Sequence, residues 1–338
     1  ISHAGTLISA ILRLTGAEWR RPITRMAELI TVVALTVGPV MIIIDMGRPD
    51  RVYNMILHGR MQSPLVWDML SIGTYLTGSI TYLYLPMIPD IAACRDRLGA
   101  TAARWRRWLY TTLAIGWRGT EQQKQRLNKA IGVMAIVIVP VAVSVHTVVS
   151  YVFSMTLRTG WNSTVFGPYF VIGAIFSGIA SILIVMAIFR KVYHLEAYIT
   201  DKHFRYLGYL LLVFTALYMY FTLSEYLTTG YKMTVDDKAL LEQLMLGRYA
   251  VYFWMFAIGG LVVPAILLVL PQTANVPGIV TAAVLINIGM WIKRLMIIVP
   301  SMGLPQMPYE WGGYTPTWVE WSITAGASAC MRKPISNA

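Results

Sequence analysis

The sequence predicts an all-α polytopic membrane protein, and three observations carry that prediction. First, 57% of the 338 residues are apolar and only 13% are charged, with a mean hydropathy of +0.59. A typical soluble domain carries about a quarter charged residues. Second, the apolar residues are gathered into windows of about 20 residues, the length that crosses a bilayer core. Third, the basic residues that give the net charge of +12 sit between those windows.

Taken in order, the windows predict spans over residues 1–15, 24–44, 67–89, 130–156, 166–189, 205–229, 247–270 and 279–301, with a ninth beginning at 317. Gly38, Pro39, Pro140 and Pro264 fall inside them. Neighbouring membrane helices can satisfy the backbone groups that such residues release. Trp67, Trp161, Tyr231 and Trp318 stand at span ends, where aromatic belts form. Position 1 is Ile, already within an apolar run, and the last apolar stretch breaks off into Arg332-Lys333-Pro334. The expectation is a chain incomplete at both ends.

The same numbers exclude other classes. A disordered chain shows the opposite bias, and a nucleic-acid-binding surface is not built from bases interleaved with spans. Cys94 and Cys330 are the only thiols, so the chain cannot supply the four thiolates of an iron–sulfur or zinc centre. Only His3 and His146 fall within spans, so no more than one bis-histidine haem could form, and no haem or cluster is expected in this chain. Roughly 17 of the Lys and Arg residues occupy alternate connections, nine of them between 95 and 129, which by the positive-inside rule places that loop in the cytoplasm and the 45–66 loop outside.

Ionisable groups within spans are costly and mark functional positions. Asp45 ends the second span, Asp68 opens the third, and His3 lies about 16 Å from the inner end of the first at 1.5 Å per residue. All three therefore fall toward the outer side, with Arg48 beside them. An imidazole near carboxylates at a membrane–water boundary is suited to accept protons from a quinol hydroxyl. The plainer reading is structural: Asp68 caps a helix start, Asp45 pairs with Arg48 or Arg51, and His3 bonds a backbone carbonyl. His146, Glu225, Arg248, Lys293 and Arg294 form a second set in the outer half, read either as a proton route or as mutually neutralised pairs.

The stretch His3-Ala4-Gly5-Thr6 with Leu7-Ile8-Ser9-Ala10-Ile11-Leu12 resembles a signature of the membrane subunit of alternative complex III, within the polysulfide reductase (NrfD/PsrC) superfamily. Gly47-Arg48-Pro49, Ser63-Pro64 with Trp67-Asp68, Gly116-Trp117-Arg118-Gly119, Val143-Ser144-Val145-His146 and Asn287-Ile288-Gly289-Met290-Trp291 resemble it in the same order. The resemblance implies two four-helix transmembrane bundles with additional flanking helices. They correspond here to residues 1–160, with an outer-side quinol site, and 161–302, followed by an outer loop and curtailed helix over 303–338. It also implies a bacterial inner-membrane, multi-pass location. His3, Asp45, Arg48 and Asp68 then contact the quinol, menaquinol or ubiquinol. Electrons pass to an outer iron–sulfur subunit and onward to c-type haem subunits, beside a homologous membrane subunit. Two positions depart from the pattern: Lys293 stands where an acidic residue is expected before Arg294, and Asp45 stands where His is frequent.

The function expected from the resemblance is quinol oxidation by a subunit inactive on its own, with proton release outside and, in a respiratory or photosynthetic chain, coupled proton translocation. A second reading keeps the same residues but makes the chain the quinone-reducing membrane anchor of a molybdopterin oxidoreductase. A third, of a different class, is a non-redox transporter or structural anchor.

Overall fold

The computed structural model describes residues 2–17, 21–45, 47–97, 103–305 and 312–332. Within those stretches the side chains of Ser2–Ala4, Arg21, Pro22, Arg25, Asp45 and residues 327–332 lie outside the description. The chain runs as α1 (Ser2–Leu14), α2 (Arg21–Asp45), a 3₁₀ turn at Pro49–Arg51, α3 (Val52–Leu57), α4 (Pro64–Arg97), α5 (Arg104–Leu113) and α6 (Glu121–Ser154). Then come α7 (Phe166–Val192), α8 (Asp201–Lys232), α9 (Val235–Met245), α10 (Ala250–Trp254), a π-helical stretch Met255–Val262, α11 (Val263–Val269), α12 (Val276–Gly303) and α13 (Trp318–Arg332).

Among the described residues, six segments are long and apolar enough to cross a membrane: Met26–Ile44, Glu121–Ser154, Phe166–Val192, Asp201–Lys232, Ala250–Val269 and Val276–Gly303. Helix α4 has 34 residues, about 50 Å at helical rise, and crosses by length while carrying a more polar face. The windows at 24–44, 130–156, 166–189, 205–229, 247–270 and 279–301 recur as these six segments, whereas the first window is a 13-residue helix, shorter than a span. Helices α5 and α9 lie in connections that the apolar windows leave blank, because a window sized for a span averages over ten or eleven amphipathic residues.

The helix starts follow from capping chemistry. Asn275 accepts the Gly278 N–H at 2.9 Å to open α12, and Thr120 accepts that of Gln123 at 3.4 Å to open α6. At α8 the Thr200 N–H donates to His203 Nδ1 at 3.1 Å, so this histidine serves a helix end. The far end of α12 is closed by the connection between α6 and α7. Arg158 donates to the carbonyls of Ser301 (2.9 Å) and Met302 (3.1 Å), and Trp161 Nε1 donates to that of Ile297 (2.7 Å). A guanidinium there satisfies orphan carbonyls and meets the negative end of the helix dipole.

Helices α1, α2, α4 and α6 pack in a ring: α1 on α2, α2 on α4, α4 on α6 and α6 on α1. Helices α7, α8, the α10–α11 segment and α12 form a second ring. The two meet where α7 packs on both α1 and α6. This explains why α7 is buried on nearly every side, with Phe166, Tyr169, Phe176, Ile179, Leu183 and Met186 each 2% exposed or less. A helix that is apolar all round belongs in such a shared position.

The π-helical stretch precedes Pro264, whose missing N–H leaves the Gly260 carbonyl without its usual helical donor. The widened turn sets Gly260 against Gly289 of α12, so closely that a Cβ on Gly289 would stand 2.6 Å from the Gly260 Cα. Glycine is needed at both positions for this backbone-to-backbone approach. Gly289→Val should cost about 1–3 kcal/mol through overpacking, read as a lowered Tm of the detergent-solubilised protein. An unchanged Tm would show that the two helices separate without penalty.

Candidate functional site

The largely apolar core of the first ring encloses a row of polar groups. Asp68, Tyr75 and Tyr82 follow one another at seven-residue intervals on α4, two helical turns apart and close to one face. Tyr75 and Tyr82 are fully buried, at 0% and 1% exposure. The Tyr75 hydroxyl bonds the Thr6 side chain of α1. One turn on, buried Ser79 follows on α4, and the Tyr82 hydroxyl lies 3.3 Å from Ser9 Oγ of α1. Ser9 in turn donates to Glu28 Oε1 of α2 at 2.5 Å. The buried Glu28 carboxylate and the buried hydroxyls of Thr6, Ser9, Tyr75, Ser79 and Tyr82 thus form a polar seam that, with Asp68, follows about 21 Å of α4.

The approach of α1 to α2 depends on Gly5, where a Cβ would stand 2.2 Å from the Ala27 carbonyl oxygen. Asp68 terminates this polar line at the other end. It is not a cap: α4 already begins at Pro64, and the Ser63 carbonyl accepts the N–H groups of Val66 (3.1 Å) and Trp67 (3.3 Å). The Trp67 indole donates to the Met61 carbonyl and fixes the entry to the helix. Asp68 is half-buried, and its Oδ1 is sealed from solvent with no hydrogen-bond partner among the described residues. Such a buried acceptor is costly unless something else meets it.

The second ring holds a different cluster. Lys293 of α12 is 4% exposed and donates from Nζ to the Tyr226 hydroxyl at 2.9 Å. Its ammonium lies 4.7 Å from the Tyr226 ring centroid, 5.4 Å from that of Phe256 and 5.5 Å from that of Tyr169. Three aromatic faces around a desolvated cation supply part of the stabilisation that water would give. Glu225, one residue before Tyr226, accepts from Ser163 Oγ at 2.6 Å and lines the same small cavity as Lys293. The Tyr169 and Thr222 hydroxyls pair at 2.9 Å beside it.

With both clusters described, the comparisons with known proteins decide the family. A family model described as polysulphide reductase, NrfD, matches residues 1–305. The chain belongs to the NrfD family. Among its relatives is a protein provisionally named as a dimethyl sulfoxide reductase membrane subunit from Halobacterium salinarum, 25% identical over 96% of this chain and 76% of the relative. A subunit of the selenate reductase of Mesobacillus selenatarsenatis is 20% identical over 96% of this chain and 78% of its own length. The integral membrane subunit of a menaquinone reductase from Nitratidesulfovibrio vulgaris is 32% identical over 90 residues, 26% of this chain and 21% of that one. Family membership and six apolar helices make this NrfD protein a multi-pass membrane subunit of the redox-complex type.

The positions expected from sequence distribute unevenly over this NrfD chain. His3 lies in α1 and Asp45 ends α2, but the side chains of both fall outside the described residues. Arg48 is exposed ahead of the 3₁₀ turn. The start of α1 packs at mid-length on α2, where Gly5 meets Ala27 and Thr31, so about 20 Å of α2 lies between that level and Asp45. Glu225 and Lys293 come together in the second ring. Arg294, the next residue, is exposed, with its guanidinium 4.9 Å from the Phe170 ring centroid, and it borders a small cavity together with Lys293. Arg248 is exposed, with its guanidinium beside Gly313 and away from Glu225. His146 is half-buried in α6 with Nδ1 sealed from solvent. Among the described residues, no three His, Cys, Asp or Glu side chains gather to hold a metal.

Sequence reasoning misses Glu28. It stands one turn after Arg25 at the basic start of α2, where a carboxylate reads as a solvated helix end. The seven-residue spacing of Asp68, Tyr75 and Tyr82 is the signal that would have pointed to a polar seam facing it.

Lys293 and Glu225 give a quantitative test of the second cluster. Lys293→Met should destabilise the protein, since it strips the Tyr226 hydroxyl of its donor and Glu225 of the nearest cation. Combined with Glu225→Gln, the loss should be smaller than the sum of the single changes, a coupling of roughly 1–3 kcal/mol. Additive changes in unfolding free energy would mean that the two groups do not interact.

Proposed function

We propose that this chain is the quinone-exchanging membrane subunit of a multisubunit oxidoreductase, with its site in the polar core of the first ring. The observation that carries the proposal is the buried polar groups of this ring: Asp68 with its unpartnered Oδ1, Tyr75 bonded to Thr6, and Tyr82, Ser9 and Glu28 in contact. Interconverting a quinone and its quinol moves two protons with two electrons. The reacting ring therefore needs proton-exchanging groups beside it and a conducting path from them to water. Asp68 supplies such a group at the end of the ring where α4 starts. In this reading His3 and Asp68 exchange protons with the quinone oxygens, and Asp45 and Arg48 hold the mouth of the site.

The hydroxyls of Thr6, Tyr75, Ser9 and Tyr82 are positioned to pass protons between that end and Glu28. A tyrosine or serine hydroxyl can accept a proton on one lone pair while donating its own. On the positive-inside orientation, Glu28 belongs to the cytoplasmic half and Asp68 to the outer half. Electrons pass between the quinone and a partner iron–sulfur subunit docked at the Asp68 end.

The relatives' names favour the second of the two redox readings of the sequence, the membrane anchor of a molybdopterin oxidoreductase. Two of those names describe reductases of dimethyl sulfoxide or selenate, and the third describes reduction of menaquinone. The alternative complex III reading retains its own support in the His3–Thr6 and Val143–His146 stretches. The composition of the assembled complex separates the two: a catalytic reductase subunit supports the first reading, and c-type haem subunits the second.

The site itself is tested in the assembled complex. Asp68→Asn and Glu28→Gln should each lower quinone-dependent turnover by 10-fold or more. Activity measured with a soluble dye that feeds the partner subunits directly should stay unchanged. Normal quinone-dependent turnover in both variants would remove the first ring from the chemistry.

A further inference from the structure

One cavity among the described residues belongs to neither cluster. It is an open cleft of about 640 Å³ between α12, α13 and the segment joining them. Trp291, Ile298 and Met302 of α12 form one wall, and Trp321 of α13 forms the other. Arg294 lies at its floor, exposed, with no carboxylate within ion-pairing distance among the described residues. Glu320 is the single acid lining the cleft, and it is fully engaged elsewhere. It accepts from the Tyr314 hydroxyl at 3.0 Å and from both the hydroxyl (2.9 Å) and the N–H (2.5 Å) of Thr317. A second guanidinium, that of Arg248, stands behind the cleft wall, with a nitrogen 3.0 Å from where a Gly313 Cβ would be.

Depth fixes what can meet these charges. Helix α12 has 28 residues, about 42 Å, against a hydrocarbon core of about 30 Å, so each end overhangs by about 6 Å. Arg294 lies nine residues before Gly303, which puts its Cα about 8 Å below the nearer hydrocarbon boundary. Its guanidinium lies 4.9 Å from the ring centroid of Phe170, four residues into α7, which brings it to about the level of that boundary, within reach of phosphate oxygens. From these positions we infer that the cleft binds one anionic phospholipid, with its phosphodiester on Arg294, its headgroup toward Arg248 and an acyl chain along Trp291 and Trp321. Planar guanidinium groups match phosphate oxygens in pairs. The lipid supplies the counter-charge that Glu320 does not, and its chain fills the gap between α13 and the second ring. This site is independent of the quinone reading.

The test is native mass spectrometry of the assembled complex in mild detergent, followed by delipidation and titration with phosphatidylglycerol or phosphatidylcholine. The wild-type complex should retain one phospholipid per copy of this chain and rebind phosphatidylglycerol in preference to phosphatidylcholine. Arg294→Gln should lower phosphatidylglycerol retention by 10-fold or more, while Arg294→Lys keeps most of it. If Arg294→Gln fails to assemble, Arg248→Gln, on an exposed stretch, should still weaken phosphatidylglycerol binding several-fold. Equal retention in the glutamine variants, equal binding of phosphatidylcholine, or a quinone recovered by solvent extraction in place of the phospholipid would each overturn the inference.

Discussion

Hydrocarbon cannot hydrate a polar group, and the rest of this structure is arranged around that fact. A carboxylate, ammonium or hydroxyl placed at membrane depth must be met by groups from neighbouring helices or by the headgroup region. Glu28 is met by Ser9 across the α1–α2 contact, and Glu225 by Ser163. Lys293 is met by one hydroxyl and three ring faces. Each of these partners comes from another part of the chain, so the polar groups select which helices lie side by side. The apolar residues alone would pack almost as well against lipid.

The two rings solve the problem differently. The first buries a row of hydroxyls and carboxylates along α4, and each hydroxyl can both donate and accept. The second encloses a single cation in an aromatic box, with a cavity of about 40 Å³ between Lys293 and Glu225. Helix α7 holds the two apart. Its buried face is apolar and aromatic, and its polar ties run to the second ring, as where Ser181 Oγ donates to Asn287 Oδ1 at 3.2 Å. Close glycine contacts then set the spacing within each ring: Gly5 against Ala27 in the first, and Gly260 against Gly289 in the second. The small residues and the buried charges are parts of one arrangement, since a wider helix separation would leave Glu28 and Lys293 without partners.

Much of this was legible in the sequence, for reasons that also explain what was not. Span positions follow from local composition, so α2, α6, α7, α8 and α12 fall where the apolar windows put them. Asp68 was legible because a carboxylate just inside a span is conspicuous. Glu28 was not, because basic neighbours at the start of α2 disguise its depth, and only the packing of α1 shows that it is buried. The grouping of Glu225, Arg248, Lys293 and Arg294 joined residues at similar depth, whereas the angular position on each helix decides which of them meet. Lys293 and Arg294 are adjacent in sequence yet differ in exposure, one buried in the aromatic box and the other reaching the cleft. The π-helical turn before Pro264 and the engagement of Glu320 by Thr317 depend on backbone detail that composition does not carry.

The central claim is that quinone reacts within the first ring. Its most direct test is labelling of the assembled complex with a photoreactive azidoquinone, followed by peptide mapping of the adducts. Adducts on α1, on the end of α2 and on the first turns of α4 around Asp68, competed away by excess native quinone, are the result this account predicts. Competable adducts confined to α8, α12 or α13, with none in the first ring, would contradict it.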